Sequence, residues 1–199
     1  SDYVYFSSYS ESWVAHAKRY ADTMTEALGL GPESLVAEVA SNDGYLLQHF
    51  VARGVPVLGV EPAGNVAAVA RRRGVRTEVR FLGAESGADL AHRYGRADLV
   101  VANNVYAHVP DLIGFTAGLA ALVKRSGLVT CEFPHLLRLI ERRQFDTIYH
   151  EHYQYLTLRT AMRALATAGL IVIDVDELST HGGSLRVHSR PAGAAGEPS

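Results

Sequence analysis

The chain has 199 residues, 48% of them apolar and 20% charged, with a formal net charge of −2. That suits one globular domain with a sizeable core, and it gives no electrostatic reason to expect a nucleic acid or an anionic membrane as partner. The single cysteine, Cys131, excludes an internal disulfide and a cysteine-rich zinc site, and no apolar run approaches the roughly 20 residues that span a bilayer.

In chain order, residues 11–29 predict an opening helix that stops at Gly29. A strand over 35–40 leads through turn residues into a helix over 45–54, then a second strand over 55–62. Residues 65–74 predict a helix ended by Gly74. Its Arg71-Arg72-Arg73 run lies at the favourable end of the helix dipole and reads as solvated. A third strand (75–81), a helix (84–95), a fourth strand (97–104), a helix (111–127) and a fifth strand (128–133) follow. Residues 135–145 are helical, and Thr157 caps a helix over 158–168. Strands over 170–178 and 183–190 are joined by STHG, a hairpin signal. The expected layout is one α/β core over 1–190, with 1–30 as an N-terminal lid and helix and 191–199 as a linker or tail. With one cysteine and the polar, aromatic start SDYVYFSSYS in place of a signal peptide, a cytoplasmic setting is expected.

Alternating apolar strands and helices predict an α/β fold with a parallel sheet covered on both faces. The strand–turn–strand ending makes the last strand antiparallel. A seven-stranded, mostly parallel sheet with one antiparallel strand near the C-terminus resembles the Rossmann-like class I methyltransferases that use S-adenosylmethionine, and departs from the dinucleotide dehydrogenases. The first strand runs into Glu38-Val39-Ala40-Ser41-Asn42-Asp43-Gly44, where small residues let backbone approach a ligand. The phosphate-binding pattern G-x-G-x-x-G is broken by Ala40 and Asn42, which disfavours a pyrophosphate ligand. Glu61, beside Pro62 at the end of the second strand, suits a pair of ribose hydroxyls. Glu38, Asn42, Asp43 and the loop backbone suit an amino-acid tail, and Phe81 or Leu82 suits an adenine ring. The other reading of Glu38 and Glu61 is that of solvated strand ends.

Three more segments belong to the same end of the sheet. ANNVYAHVPD after the fourth strand offers Asn103, Asn104, Tyr106 and His108. CEFPHL ends the fifth strand with Glu132 and His135, and Tyr149-His150-Glu151-His152-Tyr153 follows on a connection. In a doubly wound sheet such loops converge over the ligand. A metal site, an acid–base site and a plain surface loop are three readings of that turn. Consecutive His-Glu-His side chains diverge in extended backbone, which argues against one shared metal ion. His16, His49 and His92 lie inside predicted helices and read as structural. A nicotinamide-linked dehydrogenase is disfavoured by the altered glycine loop and by Tyr149-x-x-x-Tyr153, which lacks the lysine of short-chain dehydrogenases.

Seven stretches taken together, YFSSYSESWV, EVASNDGYLL, GVEPAGNVA, ANNVYAHVPD, CEFPHLLRLI, FDTIYHEHYQYLT and THGGSLRV, resemble the nucleotide-deoxysugar C-methyltransferases. The likeness is greatest to C-3 methyltransferases of 4-keto sugars linked to deoxythymidine diphosphate, and it runs from Tyr5 to Val187. It implies S-adenosylmethionine as cofactor, S-adenosylhomocysteine as product, no metal, and a dTDP-linked 4-keto-deoxysugar of antibiotic biosynthesis as acceptor. The cofactor-binding set it implies is Glu38, Ala40, Asn42, Gly44, Glu61, Pro62, Phe81, Asn103 and Asn104. Tyr3, His108, Tyr149, Glu151 and His152 would line the sugar site, with His152 as general base, Tyr149, Tyr3 or His108 as oxyanion donors, and Glu151 orienting an imidazole. Members of that family usually carry a cysteine-rich zinc-binding segment before this core and an α/β domain after it. The chain therefore resembles a catalytic core, with further domains expected in a larger parent protein. O- or N-methylation, and a cofactor-binding module without catalysis, remain as alternatives.

Overall fold

The structure is a computed structural model and describes residues 4–194. Helix α1 (Glu11–Leu28) starts where Ser10 accepts a hydrogen bond from the Trp13 amide, and it ends at Gly29 in the left-handed conformation. Strands β1 (Val36–Val39), β2 (Val57–Val60), β3 (Thr77–Glu78), β4 (Ala97–Asn103) and β5 (Val123–Pro134) alternate with α2 (Leu47–Val51), α3 (Gly64–Arg72), α4 (Ala84–Tyr94) and α5 (Leu112–Leu122). After β5 come α6 (Leu136–Glu141), a 3₁₀ turn at Phe145–Thr147, and α7 (Leu158–Thr167). The hairpin β6 (Leu170–Leu178) and β7 (Ser184–Pro191) closes the fold.

The seven strands lie in the order β3-β2-β1-β4-β5-β7-β6. β7 runs antiparallel to both β5 and β6, and the other pairs are parallel. This is the expected class I methyltransferase sheet. The order reverses between β1 and β4, so the carboxyl ends of these two strands open the crevice where such sheets bind ligands. All four residues of β1 are buried, because helices cover both faces. Val36, Leu99, Val101 and Leu128 pack against α1 and α2. Ala37, Val39, Val100, Val129 and Val187 pack on the opposite face with Phe115, Leu119 and Leu165 of α5 and α7. Among the described residues no helix is long and apolar enough to cross a membrane.

Several boundaries differ from expectation. The helix expected over 111–127 stops at Leu122, because Val123 turns extended and pairs with Ala97 of β4. Gly127 therefore belongs to β5, where a Cβ would come within 2.9 Å of the Ala97 and Asp98 carbonyl oxygens. β3 is reduced to two paired residues at the sheet edge. Only Leu136–Glu141 of the stretch 135–145 stays helical, and only Leu47–Val51 of the stretch 45–54. Thr157 caps α7 as expected, accepting from the Thr160 amide.

Candidate functional site

The loop after β1 holds Ala40 (φ 56°), Asn42 (φ 48°) and Gly44 (φ 80°) in the left-handed region. Glycine takes that backbone freely, and asparagine more readily than most residues. The Ala40 amide donates to the Val60 carbonyl at 2.8 Å, which continues the β1–β2 pairing into the turn. At Gly44 a Cβ would press against Val75 at 3.0 Å, so a side chain there would lift α2 off its neighbours. The Glu61 carboxylate organises this loop. Oε2 accepts from the Asn42 amide at 3.0 Å and Oε1 from the Ala63 amide at 2.8 Å. Burial raises the Glu61 pKa, and the two backbone donors counteract it.

Glu38 is 1% exposed and accepts a hydrogen bond from Tyr45. Burial raises its pKa well above the ordinary carboxylate value, and the charges of Glu61 and Asp43 add to that; the Tyr45 bond opposes it. Glu38 Oε2, Ser41 Oγ, Asp43 Oδ1, Asn103 Oδ1 and both polar side-chain atoms of Asn104 are buried without a protein partner. Buried polar groups are normally satisfied, so this cluster at the ends of β1 and β4 has the character of a ligand cradle. Most of its atoms are acceptors, which suits a cationic ligand bearing hydroxyl groups.

Two readings of this region need correction. Arg71 and Arg73 are not simply solvated. Arg71 donates twice to the Thr77 carbonyl. Arg73 pairs with the Asp43 carboxylate at 3.1 Å and donates to the Asp43 carbonyl at 2.9 Å. Asp43 also receives the Ser8 hydroxyl, so it pins the loop and its other oxygen alone stays unpartnered. Leu82 packs on the core, and Phe81 stands 81% exposed. Pro62 is half-buried beside Glu61. Tyr3 lies outside the described residues. The N-terminal segment after it folds onto the loop: the Ser7 amide donates to Asn42 Oδ1 at 3.0 Å, and Asn42 Nδ2 donates to the Tyr5 carbonyl at 3.1 Å.

The histidine turn reaches the same end of the sheet. The Tyr153 and Gln154 amides both donate to the Ala107 carbonyl, at 2.9 and 3.1 Å. This tether joins the turn to the loop after β4 and brings the His152 ring to 4.7 Å from that of His108, centroid to centroid. Tyr149 lies 4.6 Å and Tyr155 6.0 Å from the His152 ring. His152 Nδ1 is 2.8 Å from the Thr147 carbonyl. A carbonyl only accepts, so Nδ1 carries a hydrogen, and in the neutral ring the lone pair is on Nε2. His108 has a lowered pKa, first from burial and then from the neighbouring His152. Tyr149 has a raised one, from burial and then Glu151. Glu151 is exposed and forms no hydrogen bond with His152; the orienting group is the Thr147 carbonyl.

The sequence reading missed a network under the turn. Glu132, fully buried at the end of β5, receives Arg186 Nη2 at 2.6 Å, His16 Nε2 at 3.2 Å and the Thr180 hydroxyl at 3.1 Å. Burial pushes the Glu132 pKa up, but His16 and Arg186 outweigh it and hold it below the ordinary value. His16 therefore does more than fill a helix face. Trp13 stacks on His16 at 4.9 Å and on Tyr45 at 6.0 Å, which links this network to Glu38. The sequence signal was faint: helical spacing sets Trp13 and His16 one turn apart. Among the described residues no group of three His, Cys, Asp or Glu side chains is arranged to hold a metal ion.

A C-methyltransferase, NovU from Streptomyces niveus, is 40% identical over 192 residues, covering 96% of this chain and 46% of the relative. The chain thus spans a little under half of that protein. Solved structures agree in fold. Magnesium protoporphyrin IX methyltransferase from Synechocystis, with bound S-adenosylhomocysteine, superposes with a TM-score of 0.67 at 17% identity, covering 90% of this chain and 85% of that one. A 1,6-didemethyltoxoflavin N1-methyltransferase from Burkholderia thailandensis gives 0.65 at 19% identity, with 92% and 81% covered. An S-adenosylmethionine-dependent methyltransferase from Clostridium acetobutylicum gives 0.69 at 10% identity, with 90% and 92% covered. A family model described as "Methyltransferase domain" matches residues 13–175. That span runs from Trp13 in α1 to Val175 in β6 and contains both acidic strand ends and the histidine turn, so the chain belongs to the methyltransferase-domain family.

Proposed function

We propose that this chain is an S-adenosylmethionine-dependent C-methyltransferase acting on a carbon α to a ketone of a nucleotide-linked deoxysugar. The observation that carries the reading is the Thr147 carbonyl on His152 Nδ1–H, which leaves Nε2 of the neutral ring as the basic nitrogen. A carbon next to a ketone becomes nucleophilic only when a base removes its proton and the charge moves to oxygen. Bound S-adenosylmethionine supplies the electrophilic methyl group on its sulfonium.

Each residue has a distinct task. Glu61 sits where a ribose is bound in sheets of this type, and Glu38 with Asn103 and Asn104 offers unpartnered acceptors to a cationic ligand. Gly44, Ala40 and Asn42 give the loop its left-handed path, Pro62 follows Glu61 in the chain, and the resemblance assigns Pro62 and Phe81 to the cofactor. His152 takes the proton from the substrate carbon. His108, held neutral by burial, and Tyr149 are the donors for the developing enolate oxygen, a role worth about 3 kcal/mol per donor. The resemblance places Tyr3 in the same group. Glu151 lies near enough to His108 and Tyr149 to influence both electrostatically, so it tunes the donors. The relative named as a C-methyltransferase supports carbon as the methylated atom.

The test is mass spectrometry of a dTDP-4-keto-deoxysugar incubated with the chain and cofactor. A gain of one methyl that survives base treatment and maps by NMR to the carbon beside the ketone is the expected result. A methyl found on oxygen or nitrogen overturns the carbon assignment.

A further inference from the structure

The tip of the β6–β7 hairpin has three consecutive residues with positive φ: His181 at 48°, Gly182 at 75° and Gly183 at 124°. Glycine suits such backbone, whereas an imidazole there carries a steric cost. The turn is fastened on one side to the segment that builds the histidine turn. The Gly182 carbonyl accepts from Arg142 Nη1 at 2.6 Å and Gln144 Nε2 at 2.8 Å. The Gln144 carbonyl in turn accepts from the Thr147 hydroxyl at 2.8 Å, and the Thr147 carbonyl holds His152. On the other side the His181 ring meets Trp13 edge-on at 5.1 Å, and Trp13 stacks on Tyr45, the partner of Glu38. The preceding residue, Thr180, donates to Glu132.

His181 therefore stands between the cofactor side of the cleft and the base. It is electrostatically coupled to His152, His16 and Glu132, and His108 is coupled to it. We propose that His181 is an acceptor-binding residue, its imidazole hydrogen-bonding an oxygen of the acceptor between Trp13 and His152. This rests on the methyltransferase reading of the cleft. The residue is exposed at the hairpin tip, yet the protein packed around its ring lowers the pKa, and His16 and His152 add to that against the pull of Glu132. A neutral imidazole donates from one nitrogen and accepts at the other, which fits a substrate rich in hydroxyl and keto oxygens. It holds such a group without competing for the proton that His152 removes.

The experiment is steady-state kinetics on the whole chain, with acceptor and cofactor varied separately and with whichever acceptor the wild-type chain methylates. His181→Gly suits the backbone and removes only the ring. It is expected to raise the acceptor KM roughly tenfold, the worth of one hydrogen bond, with the S-adenosylhomocysteine Kd unchanged and Tm not lowered. His181→Asn, which tolerates the left-handed region and keeps a donor and an acceptor, is expected to recover part of the loss. Trp13 is the single tryptophan, so its fluorescence gives an equilibrium check. Titration with a thymidine-diphosphate hexose, with S-adenosylhomocysteine present, should show the same weakening in His181→Gly. An unchanged acceptor KM, a fall in kcat alone, or equal weakening of S-adenosylhomocysteine overturns the proposal. A wild-type chain that methylates oxygen or nitrogen sinks the carbon-methylation reading, yet leaves this comparison intact.

Discussion

At the scale of single residues, a backbone carbonyl fixes Nδ1 of His152 as a hydrogen carrier, which leaves Nε2 for the base role proposed above. Replacing His152 by Ala should lower methyl transfer about 10²- to 10⁴-fold, the usual worth of a positioned base, with S-adenosylhomocysteine affinity in calorimetry unchanged. Glu38 poses the opposite problem, a carboxyl group whose charge opposes folding. Its folded pKa lies above the unfolded value, so its favourable contribution is present below about pH 4.5 and is lost as pH rises through the folded pKa. Glu38→Gln should therefore raise Tm more at pH 8 than at pH 5, because the upward-shifted carboxyl is charged less as pH falls. The same variant should weaken cofactor binding at pH 8. A Tm gain of equal size at both pH values would show that Glu38 is not protonated in the folded chain.

At the scale of elements, α4 and α5 cross where two glycines meet. A Cβ on Gly87 would lie 2.6 Å from the Gly118 carbonyl oxygen, so Gly87→Val must push the helices apart. The expected cost is about 1–3 kcal/mol, read as a Tm drop of roughly 2–4 °C per kcal/mol. On the other face, Glu132 of β5 and Arg186 of β7 are direct cross-strand partners. Arg186→Met would leave a buried carboxylate without its main partner, at about 3–5 kcal/mol. Adding Glu132→Gln removes that charge and should return much of the loss. If denaturant unfolding gave additive effects for the two changes, the pair would not be coupled.

At the scale of the molecule, the N-terminal segment and the loop after β1 form one unit. Tyr5 and Ser7 grip Asn42, and Ser8 with Arg73 grips Asp43. Removing residues 1–10 should weaken S-adenosylhomocysteine binding roughly tenfold, since the loop loses several hydrogen bonds, each worth about 1 kcal/mol. The sheet should still unfold cooperatively, because both apolar clusters are built without those residues. An unchanged Kd would remove the lid role from this segment.

The sequence by itself determined the class of the fold and the location of the crevice. Strand-to-helix alternation and the unhelixed hairpin at the end are local patterns, and they carried the mostly parallel sheet with its antiparallel last strand and the placement of Glu38, Glu61 and His108 at or just after strand ends. Residues such as Ala40 and Asn42 signalled a close backbone approach, and the left-handed turn followed. Only the tertiary structure decided which groups act together. The Thr147 carbonyl holds His152 because the backbone curls there, and no side-chain pattern marks a carbonyl. The His16–Glu132 and His16–Arg186 contacts join residues 116 and 170 positions apart, and Asp43 in the loop after β1 is engaged by Arg73 at the end of α3. Periodicity describes neighbours along one element. Partners across the sheet are set by register and helix docking, which depend on the whole core packing at once.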